Sequence, residues 1–228
     1  DRLRAERNQI APVTTPELFA CLWRGSMPGL ISGRTPDRNV FYSSFLSTYV
    51  ERDVRELSGS VDALKFNRFV TAVAARCSQL LNYNALAEDA DIDIQTSKAW
   101  INILETLGII FLLHPYSNNV LKRTIKTPKM YFYDTGLVCY LTRWSSPEVA
   151  ESGAMSGALL ENFTVSEIMK SYQNAGLEPY LYFYRDRDAK EIDVILESDG
   201  KLCPLEIKKT ATPDKRLTRV FNVIDKSP

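Results

Sequence analysis

At Gly108 the hydrophobic period of this chain changes, and that change restricts the folds open to it. Upstream, apolar residues recur every three or four positions, as an amphipathic helix requires; downstream they alternate or run together briefly, as strands do. Phe45, Leu46, Tyr49, Val50, Val54 and Leu57 form one helical stripe, which Ser58-Gly59-Ser60 interrupts. A second helix is expected with Leu64, Phe69, Val73, Cys77 and Leu80 on its buried side, and a short third over residues 85–90. Asp93 stands where an N-cap belongs, ahead of a helix over residues 95–106. Trp100, Ile103, Leu104 and Leu107 give that helix its apolar face, and Gly108 ends it. Strand patterns then cover 109–114, 120–125 and 130–133, with a Pro-Tyr-Ser-Asn-Asn turn after the first. Helices followed by a hairpin predict a winged helix-turn-helix over residues 41–150.

Residues 1–40 are rich in Pro, Gly and Arg and read as an extended segment with one short helix near 15–23, where Pro16 suits the first turn. Asp134-Thr135-Gly136-Leu137 reads as an N-cap and turn opening a short helix to Leu141. The small-residue stretch 145–157 is the expected boundary of a third unit, 151–228. There the pattern gives a helix over 157–172, strands over 180–184, 191–196 and 202–208, and a closing helix over 214–224. Ser198-Asp199-Gly200 is a turn of hairpin type. The first residue is Asp, so the sequence is read as a fragment of a longer polypeptide.

Composition removes several function classes. Lys plus Arg number 28 and Asp plus Glu 28, so the bulk positive charge of a nucleic-acid binder is absent and any such role needs a local patch. The longest apolar run, 107–113, is far below the roughly 20 residues of a membrane span. The charged N-terminus lacks a signal-peptide pattern. Cys21, Cys77, Cys139 and Cys203 are far apart, and a lone His114 cannot complete a zinc site; the expectation is reduced thiols in a cytoplasmic protein.

The third unit carries the chemistry. Ile192, Val194 and Leu196 share one strand face, leaving Asp193 on the other; in the next strand Glu206 and Lys208 project together, opposite Leu205 and Ile207. On the preceding helix Glu161 aligns with Val165, Ile168 and Tyr172, which puts a carboxylate on a core-facing stripe where an unpaired charge is costly. Such a set suits phosphodiester hydrolysis. Asp193 and Glu206 would hold Mg2+ or Mn2+, with the Ile207 carbonyl as a further ligand and Glu161 reaching in directly or through water. Lys208 would orient or help deprotonate the attacking water and neutralise charge on phosphate. A Glu-x-Lys triplet alone is expected by chance about once in such a length; the conjunction of the acids in that order is what singles the site out.

A nucleic-acid contact is expected at Lys122, Arg123, Lys126 and Lys129, four basic residues between His114 and Tyr133 with no acid among them. The approach to the recognition helix argues the other way, because Glu88, Asp89, Asp91 and Asp93 would repel a duplex. Only Gln95, Lys98 and Asn102 suit base contact. On balance the helical module is expected to pack against a neighbouring domain.

Glu161, Asp193 and Glu206-x-Lys208, on a helix followed by strands, resemble the PD-(D/E)XK, or restriction-endonuclease-like, nuclease fold. The segments Phe41-Tyr-Ser-Ser-Phe-Leu-Ser-Thr-Tyr-Val-Glu-Arg-Asp-Val-Arg55, Thr96-Ser-Lys-Ala-Trp-Ile-Asn-Ile-Leu104 and Lys126-Thr-Pro-Lys-Met-Tyr-Phe-Tyr-Asp-Thr-Gly-Leu137 carry a wider likeness. With Glu161-Asn-Phe, Tyr184-Arg-Asp-Arg, Glu191-Ile-Asp193 and Glu206-Ile-Lys208, the chain resembles the C-terminal half of a group of prokaryotic AAA-type ATPases. The resemblance implies an α+β or α/β chain: a winged helix, then an α-β-β-β-α nuclease-like core short of its last strand. It also implies that residues 1–40 are the tail or lid of an upstream ATPase domain. No Gly-x-x-x-x-Gly-Lys-Ser/Thr occurs here, so ATP would bind only in that absent domain. The expected partners are DNA, the upstream ATPase domain and further copies of the chain, with no membrane. The alternative is a catalytically inactive docking module for nucleic acid or protein; a third reading is a structural lid and oligomerisation region.

Overall fold

Thr14 opens the first helix as both halves of a capping box: Glu17 N–H donates to Thr14 Oγ1 at 3.4 Å, and Thr14 N–H donates to Glu17 Oε2 at 2.8 Å. The computed structural model describes residues 12–34, 37–50, 52, 54, 62–117, 127–186, 190–198, 200–210, 212 and 214–223. Helix α1 (Thr15–Arg24) ends at Gly25 and buries Phe19 and Leu22; α2 (Pro28–Ile31) is one short turn. The third helix, α3 (Arg38–Ser44), starts earlier than the apolar stripe suggests, because Asp37 caps it, and widens into a π-helical turn over Phe45–Val50.

Asp62 caps α4 (Ala63–Ala75), which buries Phe66, Phe69, Val70 and Val73. Leu64, expected on the buried stripe, is 62% exposed, since the face set by Phe66 and Phe69 turns it outward. Cys77 is buried but lies beyond the helix end, and Leu80 forms an isolated bridge to Lys129. Asn82 caps α5 (Tyr83–Ala90) and Asp93 caps α6 (Ile94–Thr106), its Oδ1 accepting from Thr96 N–H at 2.9 Å. Trp100 of α6 meets Phe66 and Phe69 edge-on, with centroids 5.3 and 5.2 Å away.

Past Gly108, β1 (Ile110–Leu113) pairs antiparallel with β2 (Lys129–Phe132), Ile110 opposite Phe132 and Leu113 opposite Lys129. The strand expected over 120–125 lies outside the described residues. Asp134 caps α7 (Thr135–Leu141). The stretch expected as a boundary contains a helix, α8 (Pro147–Ser152), whose Ala150 is buried against the first core. The longest helix, α9 (Ser156–Asn174), follows, then a second antiparallel sheet ordered β3 (Leu181–Arg185), β4 (Glu191–Ser198), β5 (Lys201–Leu205). A 3-10 helix over Lys215–Val223 stands where an α-helix was expected.

The architecture is therefore mixed: packed helices with small antiparallel sheets. One core runs from Phe19 to Leu159; a second joins the two sheets through α9, with Phe111, Leu113, Tyr131, Val165, Phe183 and Val194. Tyr116 N–H donates to Phe183 O at 2.6 Å and Phe183 N–H to His114 O at 3.1 Å, which tethers the end of β1 to β3. Among the described residues no helix is long and apolar enough to cross a membrane.

Candidate functional site

Strand β2 alternates, so Met130 and Phe132 face the first core while Lys129 and Tyr131 face α9 and the second sheet. Helix α9 is locked against that strand by Asn162, whose side chain accepts from Phe132 N–H at 2.8 Å and donates to Phe132 O at 2.9 Å. The register places Glu161, one residue earlier, over the two polar side chains of β2. Lys129 Nζ lies 3.0 Å from Glu161 Oε1, and Tyr131 OH donates to the same oxygen at 2.7 Å. Lys129 also makes an ion pair with Glu191, at the start of β4.

Burial pushes the Glu161 carboxyl above its ordinary value; Lys129 and Tyr131 oppose that rise and the charge of Asp193 adds to it. Burial pulls the Lys129 ammonium down, but the charges of Glu161 and Glu191 outweigh it and the group stays cationic. Tyr131 is pushed well up by burial and by the adjacent Glu161 charge.

The other half of the site hangs on Asp193, which is 4% exposed. Strand β5 runs through Pro204, ends at Leu205 and does not continue to 208. Glu206 and Lys208 therefore sit on extended chain just past the strand. Asp193 Oδ2 accepts from Ile207 N–H at 2.8 Å and lies 3.4 Å from Lys208 Nζ, which is 2.9 Å from Glu206 Oε1. The second Glu206 oxygen, Oε2, is buried and has no hydrogen-bond partner among the described residues. Burial lowers the Lys208 pKa, but its hydrogen bond to Glu206 and the charges of Asp193 and Glu206 overcome it, so it is raised.

Of the four residues singled out by sequence, the structure thus joins Asp193, Glu206 and Lys208 directly. Glu161 is turned to Lys129 and Tyr131 and feels Asp193 only through its charge. Among the described residues, no group of three or more His, Cys, Asp or Glu side chains is arranged to hold a metal. Lys129, expected on a phosphate-contacting wing, is instead 3% exposed and engaged by two glutamates. Lys122, Arg123 and Lys126 lie outside the described residues. Lys129, Tyr131 and Glu191 escaped the sequence reading as members of one site. The alternation of Lys129 and Tyr131 against Met130 and Phe132 was the available signal.

The acids before α6 are tied up locally: Asp89 pairs with Arg76 at 2.5 Å, Asp91 with Lys65 at 2.9 Å, and Asp93 caps the helix. Gln95, Lys98 and Asn102 stand exposed along one side of α6.

Two family profiles match separate stretches of the chain. Residues 156–228 match the profile described as "Domain of unknown function (DUF4143)". Two mycobacterial relatives, "Uncharacterized protein Mb2031c" of Mycobacterium bovis and "Uncharacterized protein Rv2008c" of Mycobacterium tuberculosis, are each 29% identical over 195 residues, 84% of this chain. That region is 43% of each relative, so the chain spans less than half their length. No solved structure matches it. The larger profile covers residues 15–148, more than half of the sequence, and the chain belongs to the family it defines, "Domain of unknown function (DUF8612)".

Proposed function

We propose that the C-terminal unit is a divalent-metal-dependent phosphodiesterase of the PD-(D/E)XK kind, carried on the C-terminal portion of an AAA-type ATPase. The observation that carries this reading is the Asp193–Lys208–Glu206 cluster, with Glu206 Oε2 buried and unpartnered. Magnesium is bound through one or two carboxylates with waters completing its shell. Asp193 and Glu206 supply that donor set, and the orphaned Oε2 is an unused hard oxygen. A bound divalent cation would supply Lewis-acid stabilisation and a more acidic water.

The chain's own residues have distinct roles in this reading. Lys208 is held cationic, so it neutralises phosphate charge and orients the attacking water; removing that water's proton falls to another group. Asp193 fixes the loop bearing Glu206 and Lys208 through its bond to Ile207 N–H. The Lys129–Glu161–Tyr131 cluster holds α9 against the sheets and leaves Glu161 to act on Asp193 through its charge. The additional length of the mycobacterial relatives is where an ATPase domain would lie.

Purified chain should cleave plasmid or single-stranded DNA only with Mg2+ or Mn2+, and Asp193→Asn should abolish cleavage. Failure of the folded wild type to cut any DNA or RNA would sink the reading.

A second reading, a non-catalytic DNA-docking module, draws on the local pairing of Asp89 and Asp91, which reduces the repulsion at α6. It predicts salt-sensitive DNA binding, weakened in Lys98→Ala and unchanged in Asp193→Asn. No binding at low salt would leave protein partners as the remaining role.

A further inference from the structure

Away from the carboxylate cluster, α3, α4 and α7 surround a cavity of about 910 Å³. Its described lining includes Arg38 and Arg143 and contains no Asp or Glu. Two cations facing a hollow without a carboxylate leave an electrostatic deficit that an anionic ligand would fill.

Arg38 is fixed in place. Its Nε donates to Trp23 O at 2.8 Å and Nη2 to Gly136 O at 2.8 Å, and the guanidinium stacks 4.2 Å over the Trp23 ring. It makes no ion pair among the described residues; burial pulls its pKa down, and the nearby charge of Asp134, which does not line the cavity, opposes that fall only in part. Arg143 sits just past the end of α7 in the left-handed region, φ 61°, an uncommon conformation for a non-glycine residue. Its side chain is exposed and has no carboxylate partner among the described residues. Trp144 also lines the cavity, and its indole N–H is buried without an acceptor among the described residues. Tyr140 and Trp144 give the same wall an aromatic surface.

We propose that this cavity binds a small phosphorylated molecule, its phosphoryl group between Arg38 and Arg143. Two guanidinium groups match a phosphate monoester, which carries about −1.5 to −2 charge near neutrality; a carboxylate would leave one of them unmatched. The adjoining hollow shares Arg143 and adds Arg68 and Arg76, the latter paired with Asp89, so Arg143 stands where the two hollows meet. A cavity of about 910 Å³ has the size of a small-molecule pocket, which favours a small ligand over a nucleic-acid strand.

The test is calorimetric titration of the full chain with inorganic phosphate, pyrophosphate and adenosine 5′-monophosphate, alongside Arg143→Gln and Arg38→Gln. Arg143 is exposed, so its variant folds and decides the matter even if loss of Arg38 disrupts packing. Saturable binding of at least one probe, weakened about tenfold by Arg143→Gln, is expected, the size of one lost charge-assisted contact. Tighter binding of the nucleotide than of phosphate identifies a ligand with an organic body against Tyr140 and Trp144; equal binding identifies free phosphate. Binding should survive Asp193→Asn, which separates this site from the proposed nuclease. Absence of saturable binding, equal affinity in Arg143→Gln, or binding of an oligonucleotide alone would overturn it.

Discussion

The Asp193 carboxylate accepts the main-chain N–H of Ile207 at 2.8 Å, in the place where the β4–β5 ladder has stopped. One side chain thereby terminates a strand and positions Glu206 and Lys208 on either side of that bond. Removing the acceptor leaves a part-buried N–H unmet and Lys208 short of a partner. Asp193→Ala should lose about 1–3 kcal/mol in urea unfolding, the cost of an unsatisfied buried donor. Asp193→Asn keeps an acceptor oxygen and should lose less. Equal losses would mean that the bond to Ile207 contributes nothing.

Lys129 holds two glutamates with a side chain only 4% exposed. Lys129→Met should therefore cost about 3–5 kcal/mol, because it strands buried negative charge. Adding Glu161→Gln to that variant should restore part of the loss. A double-mutant cycle in denaturant measures the coupling, and strict additivity would show that the pair is not energetically linked.

The raised Glu161 pKa has a definite signature. The native state holds that proton more tightly than the unfolded chain, whose value is near 4.5. Between 4.5 and the native value folding takes up a proton, so this contribution to stability is present at low pH and declines as pH rises through the window. Wild type measured against Glu161→Gln, both in chelator, should lose relative stability from pH 4.5 upward. A flat difference would show that the carboxyl is not perturbed.

Gly136 is required by close approach. A Cβ there would fall 2.6 Å from Gly25 Cα and 2.7 Å from Arg24 O, besides striking the Tyr42 hydroxyl. Gly136→Ala should separate α1 from α7 and lower stability by more than about 3 kcal/mol, read as a fall in melting temperature. A melting temperature within a degree or so of wild type would show that the backbone yields more easily than this packing implies.

Helix positions and caps were legible because their signals are local. Asp93 before an apolar stripe and Gly108 after it need no knowledge of the rest of the chain. Asp193, Glu206 and Lys208 were legible for a related reason, since two-residue alternation assigns sides along extended chain, within β4 for Asp193 and just past β5 for the other two. The end of β5 was not legible, because the alternation of Leu205 and Ile207 continues beyond the point where the ladder stops. Lys129 was hidden for a different reason. Its partners, Glu161 and Glu191, are brought to it by the pairing of β1 with β2 and by Asn162 gripping Phe132, neither of which leaves a trace in nearby sequence. Leu64 shows the limit from the other side, an apolar residue at a plausible spacing that the helix turns toward solvent.

The buried Asp134 carboxylate is satisfied mainly from the N-terminal side: Tyr42 OH donates to Oδ1 at 2.6 Å and Ser26 N–H to Oδ2 at 2.6 Å, while Lys170 Nζ reaches Ser26 Oγ at 3.0 Å. Truncation for expression is constrained accordingly. A shortened version beginning after Ser44 would unmask that acid and the groove left by α1 together, and would be expected to precipitate or be proteolysed. The first thirty-odd described residues are thus an integral piece of the helical part, and any dissection of the two matched regions must carry them along.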